Sequence, residues 1–173
     1  MAIITLNNRA TNRSDTASAG QVFTATSATA ADFQDASGGK LLQVVSGTLN
    51  SAFTTTSTSF VATGLNVAIT PSATSSKVFV IATCYLDDNA ATQQIWSTIY
   101  RASTNLGHAS YGMMASYASG ARLRSNHSMS FLDSPSSTSA LTYEVYIRTS
   151  GNTTSFNSET GSIVSITAME IGA

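Results

Sequence analysis

Leu141-Thr142-Tyr143-Glu144-Val145-Tyr146-Ile147-Arg148 alternates between two kinds of position. Leu141, Tyr143, Val145 and Ile147 fall on one side of an extended chain; Thr142, Glu144 and Arg148 fall on the other. A period of two over eight residues marks a strand with one dry face and one wet face. Working outward, Leu65-Asn66-Val67-Ala68-Ile69 repeats the pattern and stops at Thr70-Pro71. Gln94 to Arg101 sets Ile95 and Ile99 against Trp96 and Tyr100. Lys40 to Ser46, Arg122 to Phe131 and Thr154 to Phe156 read as further strands, and Thr54 to Ser59 as an extended edge bracketed by Phe53 and Phe60. Asn105-Leu106-Gly107 carries the turn chemistry expected to close a hairpin.

Strands joined by Gly, Ser, Asn and Pro turns, without helices between them, leave antiparallel pairing as the solution, since parallel neighbours need long crossovers. The expected fold is all-β: an antiparallel two-sheet jelly-roll sandwich over residues 40–173, with 40–52 as a connecting strand. A short, mostly irregular N-terminal arm, residues 1–39, precedes it. Thr5 to Gly20 is polar and breaker-rich, Ser27 to Asp35 is the only candidate for a short helix, and Ser37-Gly38-Gly39 reads as a hinge.

Two segments depart from one-sided alternation. Val78-Phe79-Val80-Ile81-Ala82-Thr83-Cys84-Tyr85 is apolar on both sides, as is Ile163 to Ile171 to a lesser degree. One side of a sandwich strand ordinarily faces water and is polar. A doubly apolar strand therefore implies a cover over its outer side: a second copy of the chain, or else a loop or the arm.

The 173 residues suit one domain with an arm, and 42% apolar residues suffice for a core. Only 10% are charged, far below the roughly 25% of an average soluble chain. A net charge of −1 with scattered basic residues gives no footprint for nucleic acid, and no apolar run is long enough to span a membrane as a helix. No basic segment and apolar run follow Met1, and Cys84 is the single cysteine, so synthesis in a reducing host cytoplasm is expected.

Chemistry is hard to assemble from these residues. His127 and Ser128 point to opposite faces of an alternating strand, and no nucleophile elbow surrounds any serine. His108 and His127 lack zinc-ligand spacing and read as surface or interface residues. Asp87-Asp88-Asn89 offers too few oxygens for calcium and reads as a solvated turn. Arg122 and Arg124 share one strand face, either bridging copies or facing solvent. No catalytic, cofactor-binding or metal-binding residue is assigned. Tyr111, Met113, Met114 and Tyr117 lie in a Gly- and Ser-rich stretch whose composition suits an adaptable binding loop; the alternative is that they fill the sandwich.

The phrase from Phe53 to Ser72 (FTTTSTSFVATGLNVAITPS) resembles a recurrent domain in virion proteins of marine tailed phages. Lys40 to Val45, Phe131-Leu132-Asp133-Ser134-Pro135 with Thr142-Tyr143, the ending Ile166 to Ile171 and the beginning Ile3 to Ala10 resemble the same proteins. The resemblance implies a tumour-necrosis-factor-like trimeric jelly-roll head on a virion-attachment segment, with Leu6, Asn7, Asn8, Arg9 and Arg13 as attachment candidates. Val164, Ile166 and Ala168 with Phe79, Ile81 and Tyr85 are the candidate trimer contacts. The implied function is that of a non-enzymatic structural protein on the surface of a phage head or tail, a short tail-fibre, adaptor or receptor-contacting component. Capsid decoration, as a cement protein, is the alternative, and a carbohydrate-binding module is a third class. Expected partners are further copies of the chain, other virion proteins and a host surface glycan or protein, with no nucleic acid and no membrane. The absence of a long shaft favours a compact adaptor, spike or decoration.

Overall fold

The structure, a computed structural model, describes residues 3–6, 9–12, 21–25, 27, 31–35, 39–88, 90, 93–120, 122–159 and 162–172. The chain divides into two compact units, Met1–Gly39 and Lys40–Ala173.

The described parts of the first unit are two antiparallel hairpins. Strand β1 (Ile3–Leu6) pairs with β2 (Arg9–Asn12), and β3 (Gln21–Ala25) pairs with β4 (Ala31–Asp35). The short helix considered for Ser27 to Asp35 is corrected over residues 31–35, which are extended; most of the stretch from Thr5 to Gly20 lies outside the described residues. An isolated helix of so few residues is marginal in water, and strand pairing satisfies the same backbone groups. The proposed hinge lies largely outside the described residues, which include only its last glycine.

The second unit is a two-sheet antiparallel sandwich. One sheet is ordered β5 (Leu41–Leu49), β15 (Val164–Ile171), β8 (Lys77–Asp88) and β12 (Leu123–Asp133). Beyond the end of β15, β14 (Thr154–Phe156) takes over pairing with β8 and carries the edge strand β6 (Phe53–Thr55). The other sheet is ordered β7 (Val61–Ile69), β13 (Leu141–Thr149), β9 (Gln93–Arg101), with β11 (Met114–Ala118) and the short β10 (Thr104–Asn105) side by side along β9. The chain steps repeatedly between sheets, which makes it a jelly roll.

Local chemistry accounts for several details. The reversal after β9 occurs at Ala102, in the left-handed region with φ 50°, rather than at Asn105-Leu106-Gly107 as expected. Asn105 instead organises the following bend: its Oδ1 accepts from the Gly107 amide at 2.9 Å and from Thr98 Oγ1 at 2.7 Å. The pairing of β13 with β7 slips between Glu144 and Tyr146. Thr63 Oγ1 donates to the Val145 carbonyl across that bulge, and Gly64 supplies its positive φ of 85°. At Gly47 a Cβ would stand 1.9 Å from the Asn66 carbonyl oxygen, so only glycine lets β5 close against β7.

The core takes alternate residues from every long strand. Leu65, Val67 and Ile69 of β7 and Tyr143, Val145 and Ile147 of β13 meet Val78, Val80 and Leu86 of β8. Cys84 lies in the same core, and burial pushes its thiol up to about 12. At one end of the sandwich the inward row Asp133–Val78–Glu170 carries two buried acids. Asp133 accepts two bonds from Arg101 Nη1, at 2.7 and 2.8 Å, and one from the Tyr143 hydroxyl at 2.7 Å. Glu170 accepts from Gln43 Nε2 at 2.6 Å and from the amide and hydroxyl of Ser72, each at 2.7 Å. Those bonds hold the Glu170 carboxyl down at about 2.

Nearer the other end, His127 is buried between the sheets, correcting its expected surface position. Its Nδ1 is 2.6 Å from Ser97 Oγ and its Nε2 is 2.8 Å from Ser116 Oγ, so a neutral ring, donating once and accepting once, is satisfied on both sides. Burial lowers its pKa to about 4. The unfolded chain takes the His127 proton near pH 6.5, whereas the folded chain takes it only near pH 4. Stability is thus full above pH 6.5 and falls as the pH drops to about 4, by on the order of 3 kcal/mol. The depressed Glu170 carboxyl adds a second loss, which begins below its ordinary value of 4.5 and runs down to about 2. Thermal melts between pH 8 and 2 should show both stages. His127→Gln should flatten the first and Glu170→Gln the second; a His127→Gln melt curve with unchanged pH dependence would refute the assignment.

Candidate subunit-contact face

The outer face of the β5–β15–β8–β12 sheet follows from strand parity. Val78, Val80 and Ala82 point into the core, so Phe79, Ile81, Thr83 and Tyr85 point out. In β15 the buried set is Val164, Ile166, Ala168 and Glu170, leaving Ser165, Thr167, Met169 and Ile171 outward. Register then aligns Val44, Met169, Phe79 and Leu132 in one row across four strands. Val44 is 52% exposed and Leu132 47%, and Leu42 lies exposed on the same side of β5.

The next two rows are Ser46–Thr167–Ile81–Ser130 and Thr48–Ser165–Thr83–Ser128. Their hydroxyls bond one another across strands: Ser46 to Thr167 at 3.0 Å and Thr83 to Ser165 at 3.3 Å. None of these three rows carries a charge. A groove of ≈ 160 Å³ follows, with Tyr85, Asn126, Ser128 and Ile163 in its wall. Charge lies at the two ends: Lys77, in register with Ile171, flanks the apolar row, and an ion cluster stands beyond the groove. Arg122 grips the Asp87 carboxylate with two donors and holds its pKa below the usual carboxylate range, while Arg124 Nη2 lies 3.2 Å from Glu159 Oε1. Between Lys77 and that ion cluster the face grades from apolar to hydroxyl along the strands.

Three of the six expected trimer contacts change place. Val164, Ile166 and Ala168 belong to the monomer core and have no side-chain surface for a neighbour. Of the two apolar sets in β15, the more apolar is used against the opposing sheet. Phe79, Ile81 and Tyr85 do lie on the outer face, half-buried. The residues that join them, Val44, Met169, Leu132 and Leu42, were missed, although alternation in Leu42-Gln43-Val44-Val45 signals a strand with apolar side chains on each face.

Other expected sites resolve as follows. Asp87 and Asp88 are buried strand residues, not a solvated turn; Asp88 Oδ2 accepts from Thr154 Oγ1 at 2.8 Å. Arg122 and Arg124 are held in the ion cluster just described. In the binding-loop candidate, Met113 packs against the core, whereas Tyr111 and Tyr117 are each 61% exposed and Met114 is partly exposed. Tyr111 stacks on His108 with ring centroids 4.9 Å apart. Of the attachment candidates, Leu6 ends β1 opposite Arg9 of β2, and Asn7, Asn8 and Arg13 lie outside the described residues. Among the described residues, no cluster of three or more His, Cys, Asp or Glu is placed to hold a metal ion.

No protein-family model matches the sequence, and no curated protein matches it. Among solved structures, the chain is similar to the T13 particle of infectious bursal disease virus, at TM-score 0.36 and 11% identity over 86% of this chain and 42% of that one. The Gx strain of the same virus gives TM-score 0.37 and 13% identity, covering 87% of this chain and 36% of that one. The chain thus spans less than half the length of the structures it matches, and at this distance the likeness carries no functional argument.

Proposed function

We propose that the chain is a non-enzymatic structural protein of a bacteriophage particle: a homotrimer on the virion surface, attached through residues 1–39 and acting as a short tail-fibre or adaptor component that contacts the host. The observation that carries this reading is the outer sheet face, where three successive rows carry no charge and the Val44–Met169–Phe79–Leu132 row is exposed at Val44 and Leu132 in a single copy. An apolar row of that kind in a soluble chain marks a surface that another protein covers. Further copies of this chain fit as occupant, because low overall charge imposes little repulsion on self-association. The phage assignment draws its support from the sequence phrases between Phe53 and Ser72 and their companions. The attachment role of the first unit is inferred from its being a compact unit of its own and from the resemblance of Ile3 to Ala10.

Quantitative gel analysis of purified particles tests the reading. A few copies per particle is the expected result; many hundreds would replace the tail role with decoration of the shell, and absence from particles would overturn the proposal.

A further inference from the structure

The outer face of the β7–β13–β9 sheet is built on other principles. Trp96, Thr98 and Tyr100 of β9 share it with Tyr146 and Arg148 of β13, the register setting Arg148 beside Trp96 and Tyr146 beside Thr98. The Tyr100 and Tyr146 rings stack at 3.9 Å between centroids, with 22° between planes. Phe60, just before β7, stands 6.4 Å from Tyr100 at a steep tilt. The Arg148 guanidinium lies 3.8 Å above the centre of Trp96 and 5.6 Å from that of Phe60. A Cβ on Gly112 would come within 3.0 Å of the Phe60 ring, so the glycine seats Phe60, while the bridge between His108 and Gly112 fixes the intervening loop. These segments enclose an open depression of ≈ 400 Å³ walled by Thr58, Ser59, Phe60, Tyr100, Ser110 and Arg148.

Arg148 is the unusual member. Arg101, Arg122 and Arg124 each face a carboxylate, but among the described residues Arg148 faces none. Nη1 donates to the Thr58 carbonyl at 3.1 Å, and the enclosed Nε has no acceptor. Aromatic faces attract the cation but accept no strong hydrogen bond from it. The guanidinium's charge is thus left without an anion beside it, while its Nη1 is held by the Thr58 carbonyl. The wall then combines ring faces, hydroxyls and an unneutralised planar cation, at the lower end of the volumes of small-molecule sites. A sugar ring matches it, with C–H faces for the aromatic rings and hydroxyl edges for Thr58, Ser59 and Ser110. The free charge selects among sugars.

We propose that Arg148, Tyr100 and Phe60 form a binding site for a negatively charged pyranose, a sugar ring bearing a carboxylate or a sulfate. The guanidinium pairs with the anionic group, and the rings pack on the sugar's apolar face. The site deepens the host-contact reading and rests on it for the origin of the sugar.

Trp96 is the only tryptophan in the chain and lies under Arg148, so its fluorescence reports on this site. The purified full chain is titrated with methyl glucuronide, methyl galacturonide, N-acetylneuraminate and galactose 6-sulfate, and with neutral methyl galactoside and methyl glucoside. At least one charged sugar should change the emission saturably, with a dissociation constant on the order of 1 mM or tighter. The neutral sugars should bind at least about tenfold more weakly. Arg148→Gln should bring the charged sugar to the neutral level, and Arg148→Lys should also weaken it by losing the planar donor fork. The proposal is overturned if no charged sugar alters the emission at tens of millimolar, if charged and neutral sugars bind alike, or if folded Arg148→Gln binds as the parent does. The charged-to-neutral comparison in the unmodified chain decides even if the variants misfold. Sugar binding by a chain absent from particles would overturn the virion setting and leave the site standing. A particle-borne chain indifferent to every charged sugar would do the reverse.

Discussion

Ile166→Arg is expected to leave the chain unfolded or aggregated, and Phe79→Arg to leave it folded but monomeric. Ile166 is fully buried, in register with Gly47 on one side and Ala82 on the other. An arginine there would bring a charge and its donors into a site that offers them no partner. The cost is comparable with the entire stability of a domain, about 5–15 kcal/mol. Phe79 faces the other way, between Met169 and Leu132 on the half-exposed outer row. In a single copy an arginine at that position reaches water and costs little. In the proposed trimer it would set like charges into an apolar contact, which is strongly unfavourable. Circular dichroism and light scattering on both variants provide the check. A soluble, folded Ile166→Arg protein would show that the β15 side chains are assigned to the wrong faces. A folded Phe79→Arg protein with the parent's oligomeric state would remove this face from the assembly.

Asp133→Ala should be the most damaging polar substitution, costing about 3 kcal/mol or more. The carboxylate sits at the end of β12 and joins Arg101 of β9 and Tyr143 of β13, so it ties the two sheets together. Deleting it leaves the Tyr143 hydroxyl buried without an acceptor and the partly buried Arg101 without its counter-charge. The melting temperature should fall by roughly 10 °C, given the usual relation for a domain of this size. Tyr143→Phe removes one bond alone and should cost about 1 kcal/mol. The double variant Arg101→Met with Asp133→Leu should be less destabilised than Asp133→Ala, because no unpaired charge remains. A melting temperature within a degree or two of the parent's for Asp133→Ala would show that the triad contributes little.

Much of the architecture was readable along the chain. Leu65 to Ile69, Val78 to Leu86, Gln94 to Arg101 and Leu141 to Arg148 are strands where alternation places them. Strand period and turn residues are local properties, carried by a few consecutive side chains, and a two-sheet antiparallel sandwich is what remains once helices are absent. The failures had local causes too. The Ala-dense stretch from Ser27 to Asp35 resembles a helix, yet a partner strand takes residues 31–35, and Asn105-Leu106-Gly107 has turn chemistry that serves a bend one step past the true reversal.

The candidate surfaces were less readable. The sequence alone established that β8 and β15 carry apolar side chains on both faces, but not which face the opposing sheet would claim. That choice depends on β7, β9 and β13 filling the interior, so only the tertiary structure could send Val164, Ile166 and Ala168 inward and leave Met169 and Phe79 outward. The same holds for His127 between Ser97 and Ser116, for Asp133 beneath Arg101 and Tyr143, and for Arg148 over Trp96. Alternation is written between neighbours in the chain. The identity of the dry face, and of the polar partners that make burial tolerable, is written between residues that only folding brings together.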